Sequence, residues 1–366
     1  MAIKSEVLVY VGTYTENVPG GSKGIYVAPF DSATGKLGAL ELVAELKNPS
    51  FVAASSDAKF LYAVSEVGVP GAEGGATGFV ASYAIGAHGK LAPVSKVESR
   101  GTDPCHVAVS HARHTVAVAN YSSGSTVSLH TDATGAFGNA SIDRHSGHGP
   151  NTSRQEGPHA HSVTFSPDDR LLLSCDLGAD RVFVYRHDAR TGAITPHSHP
   201  FVALEPGSGP RHLALHPSGH YAYVICELTS NIAAFKWNAS AGTLRQFQHI
   251  STLPLSFTAA NTTAEIAVHP NGRFVYGSNR GHDSIAAYSV DAASGRLTLL
   301  SHTSTGGKSP RSFAIDPSGR WLLAANQLSD DIFSFAIDPH TGALAATGGR
   351  STLSRPVCVS FVPLRA

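Results

Sequence analysis

Long hydrophobic runs are missing from this chain. No segment approaches the roughly 20 uninterrupted apolar residues that a membrane-spanning helix needs, so no membrane partner is expected. Met1–Glu6 passes straight into the strand-like Val7–Val11, without the apolar stretch and small-residue cleavage site of a secretory leader. A cytoplasmic protein is the expectation. An excess of one charge is missing too. The 27 basic residues balance the 27 acidic ones and no basic run stands out, which argues against nucleic acid as a partner. Cysteine is scarce: Cys105, Cys175, Cys226 and Cys358 are scattered, with no C-x-x-C pair, and read as reduced, buried thiols. Cys175 and Cys226 fall at equivalent points of neighbouring repeats, which gives them no special reason to meet. Sustained 3.6-residue periodicity is also lacking, which removes helical architectures.

What the chain does have is punctuation. Its 36 glycines and 21 prolines are spread along all 366 residues, a distribution that favours many short strands over a linker. The segments Pro158–Arg170, Pro210–His220, Ala264–Arg273 and Pro310–Arg320 align as apolar runs closed by a Pro-x-Gly-type turn. Each leads into a second apolar run: Leu171–Leu177, Tyr221–Glu227, Phe274–Arg280 and Trp321–Gln327. A third run follows, as in Ile232–Trp237 and Ile285–Val290, and then a glycine turn with a leucine, as in Gly242–Leu244 and Gly295–Leu297. Weaker copies start at Pro49 and Pro104. Four strands at a period of about 50 residues are the signature of a propeller blade. Six units occupy the chain from about residue 49. Pro356–Val362 supplies the first strand of a seventh, and Val7–Thr13, Gly24–Asp31 and the stretch after Gly35 supply the rest. The expectation is therefore an all-β, seven-bladed β-propeller over residues 1–366, a single domain whose last blade is closed by strands from both termini.

In such a blade the first strand lies nearest the central channel and the second runs back beside it. Residues about eight positions either side of the turn thus share one rim. Arg211 and Glu227 bracket Gly219 in this way, and Arg311 and Gln327 bracket Gly319. Arg280 matches Glu227 one unit on, and His161 matches Arg211 one unit back. His161, Arg211, Glu227, Arg280 and Arg311 should converge on one channel mouth, along one arc of four consecutive blades. Elsewhere the same positions hold the ordinary residues Cys105, Tyr121, Leu177, Ala264 and Val357. Arginine–glutamate pairs can simply tie blades together. Three arginines beside one carboxylate are under-neutralised, however, and that invites an anionic ligand. The longest inter-blade insertion, Ser146–Pro158, lies over this arc.

These residues resemble the propeller-type lactonases, a family that includes bacterial 6-phosphogluconolactonases and fungal 3-carboxy-cis,cis-muconate lactonising enzymes. The resemblance is carried by Gly149–Ser162, Gly209–His212, Tyr223–Leu228, Ser278–Arg280 and Pro310–Arg311, and runs from about Val9 to Val362. It departs most in the first two units and in the loop Val67–Gly78. It implies a hydrolase acting on a small anionic lactone, without a cofactor, with catalytic His161, Arg211, Glu227 and Arg280. Arg311, Arg154, His159, His106 and Gln327 are the expected substrate-binding residues. Either His161 or Glu227 can act as general base, with the arginines binding the anion and developing charge. A muconate-type cyclase, an unphosphorylated sugar-acid lactonase and a non-catalytic scaffold propeller are the alternatives. No metal is expected, since His159/His161 and His197/His199 lack a completing ligand set. The G-x-S-x-G match Gly20–Gly24 lacks the helix of a nucleophile elbow. A monomer or weak homo-oligomer is expected.

Overall fold

The computed structural model describes residues 7–16, 20–72 and 74–364, so the reading of Met1–Glu6 lies outside the described residues. The described strands form seven antiparallel sheets arranged as blades. Their innermost strands are Val52–Ala54, Pro104–Val109, Ala160–Phe165, Pro210–Leu215, Thr262–Val268, Pro310–Ile315 and Pro356–Pro363, which begin blades 1 to 7 in that order. The propeller and its closure follow the sequence reading. Pro356–Pro363 pairs with Val7–Thr13, Val9 opposite Phe361, and Val7–Thr13 pairs in turn with Gly24–Asp31. The two ends of the chain thus complete one sheet and leave no open inner edge.

Burial falls from the axis to the rim, and the sequence reflects it. The second strands Thr115–Asn120, Leu171–Asp176 and Tyr221–Cys226 are buried along their whole length, because neighbouring blades cover both faces. They are accordingly runs of Val, Leu, Ala and Ile rather than alternating patterns. The outer strand Ile194–Ala203 is mostly exposed and polar. Cys175 and Cys226 both contribute to the core between blades 3 and 4, closer company than their repeat positions suggest, and both remain free thiols. The presumed loop Val67–Gly78 is largely a hairpin: the strands Phe60–Pro70 and Ala76–Ile85 continue past a register shift between Ser65 and Val69. Gly24 of the G-x-S-x-G match opens a strand.

A second regularity concerns register. In six blades the ladder between first and second strands is interrupted near the same mouth, leaving over Cys105, His161, Arg211, Ala264 with Glu265, Arg311 and Val357. A bulge of this kind bends the strand and re-aims one side chain. On or just beyond the second strand, the amides of Tyr14, Glu66, Tyr121, Leu177, Glu227 and Gln327 bond back to Arg355, Asn48, Asp103, His159, Gly209 and Ser309. Blades 2, 3, 4, 6 and 7 thus carry both a bulged position and a returning amide at one end of the channel.

Adjacent blades are pinned by a recurrent polar contact. A hydroxyl in one blade donates to a glycine carbonyl in the outer turn of the next: Tyr223 to Gly295 (2.8 Å), Tyr276 to Gly342 (2.9 Å), Tyr10 to Gly89 (2.9 Å), Ser128 to Gly192 (2.6 Å) and Ser334 to Gly35 (2.6 Å). The acceptor glycines have φ between 72° and 77°, the left-handed region that other residues resist.

Tyr276→Phe should therefore cost about 1 kcal/mol in chemical denaturation, the net worth of one hydrogen bond. Gly342→Val should cost more, since it adds backbone strain and a Cβ 2.4 Å from the Phe274 ring. Equal effects would show that the turn conformation contributes nothing.

Candidate active site

The mouth to which the bulged positions point holds a cavity of about 290 Å³. Glu66, Cys105, Tyr121, Arg154, His161, Glu227, Thr262, Arg280 and Arg311 line it. Its most constrained member is Glu227. One carboxylate oxygen, Oε1, accepts from Arg154 Nη2 at 2.6 Å. The other, Oε2, meets Arg211 Nε and Arg280 Nη2, each at 2.9 Å. Burial alone would raise its pKa, but Arg280, Arg211 and Arg154 outweigh burial and hold it at about 2. Glu227 is thus a fixed anion that gathers three cations. Burial pulls Arg280 down to about 9 against the attraction of Glu227, so it stays charged at neutral pH. Its Nη2 also reaches the Thr263 carbonyl at 2.8 Å, whereas its Nε is buried with no partner.

The remaining predicted residues divide cleanly. Arg154, His161, Glu227, Arg280 and Arg311 line the cavity. Arg211 does not. It is buried beneath, 2% exposed, with its guanidinium spent on Glu227, the Ala264 carbonyl (2.6 Å) and His212 Nε2 (3.2 Å). Nor do His159, His106 and Gln327 reach it. His159 has both ring nitrogens engaged, with the Tyr121 carbonyl and Glu156, each at 3.1 Å, and it stacks on the Tyr121 ring. His106 packs on Phe51 with ring centroids 4.0 Å apart. Gln327 is held through its backbone amide by Ser309. For His106 the physical reason is the pleat: it directly follows the bulged Cys105 and faces away from it.

His161 is 5% exposed, and its Nε2 makes no hydrogen bond with the described residues. Nδ1 lies 3.8 Å from Cys105 Sγ. Burial first, then Arg211, His212 and Arg311, push its pKa well below 6.5, so the ring is neutral at neutral pH. Beneath it, His212 Nδ1 meets Glu265 at 2.8 Å. Burial raises Glu265 to about 7 against the pull of Arg211.

The charged arc is wider than the sequence reading allowed. Arg311 Nη2 donates to Tyr14 Oη at 2.9 Å, and Tyr14 Oη lies 2.9 Å from Glu66 Oε1. This Arg311–Tyr14–Glu66 chain spans blades 6, 7 and 1, so the polar ring closes around the channel. Cys105 and Tyr121, taken as ordinary, line the cavity as well. The signal that could have found Glu66 is the same hairpin rule, for it lies eight residues after the turn at Ala58, where φ is 57°. The lining arginines fit anionic oxygen.

The family model described as "Lactonase, 7-bladed beta-propeller" matches residues 8–361. The 6-phosphogluconolactonase of Bacillus subtilis is 38% identical over 305 residues, covering 82% of this chain and 83% of that protein. A 6-phosphogluconolactonase of Formosa agariphila is 33% identical over 313 residues, 83% of this chain and 85% of its own. The solved periplasmic gluconolactonase PpgL of Pseudomonas aeruginosa superposes with a TM-score of 0.90 at 35% identity, covering 99% of this chain and all of that one.

Glu227→Gln should cost about 3–5 kcal/mol, since it strands buried guanidinium groups. A carboxylate with a depressed folded pKa stabilises above its unfolded value and loses that contribution as pH falls through the folded one. The wild-type melting temperature should therefore drop between pH 4.5 and about 2 more steeply than that of Glu227→Gln. Parallel curves would contradict the assignment.

Proposed function

The chain belongs to the seven-bladed β-propeller lactonase family and hydrolyses lactones, and from that premise we propose that its substrate is 6-phosphogluconolactone. The observation that carries the choice is the cavity lined by Arg154, Arg280 and Arg311, with Glu227 permanently ionised among them. A phosphate suits such a set of guanidinium groups. The similarity to two proteins named 6-phosphogluconolactonase supports the same choice. A neutral sugar lactone is the second reading, favoured by the commitment of Arg154 and Arg280 to Glu227.

Hydrolysis requires water to attack the ester carbonyl and a proton to leave that water. In this proposal the neutral His161 ring accepts it at Nε2. Glu227 is the poorer base, since three guanidinium donors occupy both its oxygens and a pKa near 2 leaves little affinity for a proton. Its role is to hold Arg154 and Arg280 over the cavity, with Arg211 as the anchor below. The arginines face the phosphate and the oxyanion that forms as the carbonyl is attacked. Among the described residues no helix is long and apolar enough to cross a membrane. We place the protein in the cytoplasm, as a monomer or weak homo-oligomer without nucleic-acid partners; four free cysteines suit a reducing compartment.

Purified protein mixed with freshly prepared 6-phosphogluconolactone should release acid well above the spontaneous rate. Arg154→Ala should raise KM for that lactone about tenfold and barely change it for gluconolactone, whereas equal changes would favour the neutral substrate. His161→Ala should lower kcat by about a hundredfold or more. Because the folded pKa of His161 is depressed, the acidic limb of the wild-type rate profile should lie below pH 6.5. A limb at or above that value would exclude His161 as the base.

A further inference from the structure

The reaction has a second proton to manage. When the tetrahedral intermediate collapses, the ring oxygen departs as an alkoxide and needs a proton. His161 at that moment has just gained one from the attacking water, and a separate donor would spare it carrying that proton over to the ring oxygen. Arg154 and Arg311 hold their protons tightly, and Arg280 spends its Nη2 on Glu227 and the Thr263 carbonyl. Among the described residues, the lining of the cavity contains one carboxyl group besides Glu227, and that is Glu66.

The surroundings of Glu66 differ from those of Glu227 in one decisive respect: no guanidinium bonds to it. Arg311 has no lone pair to offer, so in its contact with Tyr14 the guanidinium donates and the phenol oxygen accepts. The Tyr14 hydroxyl hydrogen is then free to point to Glu66 Oε1. Oε2 is shut off from the cavity beside the Ser50 hydroxyl, so Oε1 is the carboxyl oxygen left to meet a substrate.

We propose that Glu66 is the general acid of the reaction, donating its carboxyl proton to the lactone ring oxygen as the carbon–oxygen bond breaks. This rests on the lactonase reading of the same site. The balance is complete without a further reactant. The water oxygen bonds to the carbonyl carbon, and one water proton passes to His161 Nε2. The bond from that carbon to the ring oxygen breaks, and its electron pair takes the proton from Glu66. The product is a hydroxy acid, which ionises. His161 then returns its proton to the Glu66 carboxylate, directly or through water.

Electrostatics agrees with the geometry. Burial raises the Glu66 pKa, with Arg311 opposing it most, Ser50 and Tyr14 opposing it further, and Asp103 reinforcing the rise. Cys105, the other titratable neighbour, is itself kept protonated by burial. The two carboxyl groups of the cavity are therefore driven in opposite directions, Glu66 upward by a dry setting and Glu227 downward by three cations. Such a separation allows one carboxyl group to be a donor while its neighbour remains an anion.

The test compares wild type, Glu66→Gln and Glu66→Asp on 6-phosphogluconolactone and gluconolactone from about pH 5 to 8, reading kcat and KM separately. Circular dichroism and melting temperature confirm that each variant is folded. Glu66→Gln should lower kcat about a hundredfold with little change in KM, and should abolish the basic limb of the kcat profile. Glu66→Asp should recover part of the rate and restore that limb. A Glu66→Gln kcat within threefold of wild type would overturn the proposal, as would a basic limb that survives the substitution. If wild type accelerates neither lactone, the lactonase reading falls and this role falls with it. Acceleration by wild type together with an indifferent Glu66→Gln removes the role of Glu66 alone.

Discussion

The channel mouth is shaped by a backbone irregularity repeated in six of the seven blades. A regular antiparallel ladder would turn alternate side chains to the two faces of each blade and bury them between neighbours. The bulge at Cys105, His161, Arg211, Ala264–Glu265, Arg311 and Val357 breaks that alternation at one point per blade. Ring closure then brings those points together. The hydroxyl-to-glycine contacts fix each blade against the next, so the mouth is assembled by rigid elements rather than by loops alone. The one loop group in the constellation, Arg154, is held by Glu227.

The electrostatic design follows from that convergence. Several guanidinium groups in a nearly dry pocket would repel one another, and Glu227 makes the arrangement tenable by bonding to three of them. The same saturation is the reason the proposed mechanism gives proton transfer to His161 rather than Glu227. His161 keeps a free Nε2, and Glu66 is a cavity-lining carboxyl group to which no guanidinium bonds. Burial shifts them in opposite senses, lowering the imidazole pKa and raising that of the carboxyl group.

Much of this was legible in the sequence. The roughly 50-residue repeat, the Pro-x-Gly turns and the split seventh blade depend on local turn chemistry and strand pattern, which a single chain displays directly. Hairpin symmetry selected His161, Arg211, Glu227, Arg280 and Arg311, and only Arg211 lies below the cavity rather than on it. What sequence reasoning missed has physical causes. Blade 1 replaces the Pro-x-Gly turn with Ser55–Lys59, which hid the equivalence of Glu66 to Glu227. Tyr14 belongs to the blade stitched from both termini, so no spacing along the chain points to Arg311. His106 was misplaced because a side chain's direction beside a bulge depends on the register slip, which the sequence does not announce.

The most direct measurement of the central claim is a crystal structure with the product, 6-phosphogluconate, bound. The account predicts that the product fills the cavity between Glu66 and Glu227, with its phosphate on the arginines and its carboxylate about 3 Å from His161 Nε2. Product bound instead in the broader groove beside His220, Trp237 and Arg245, with the mouth empty, would contradict it.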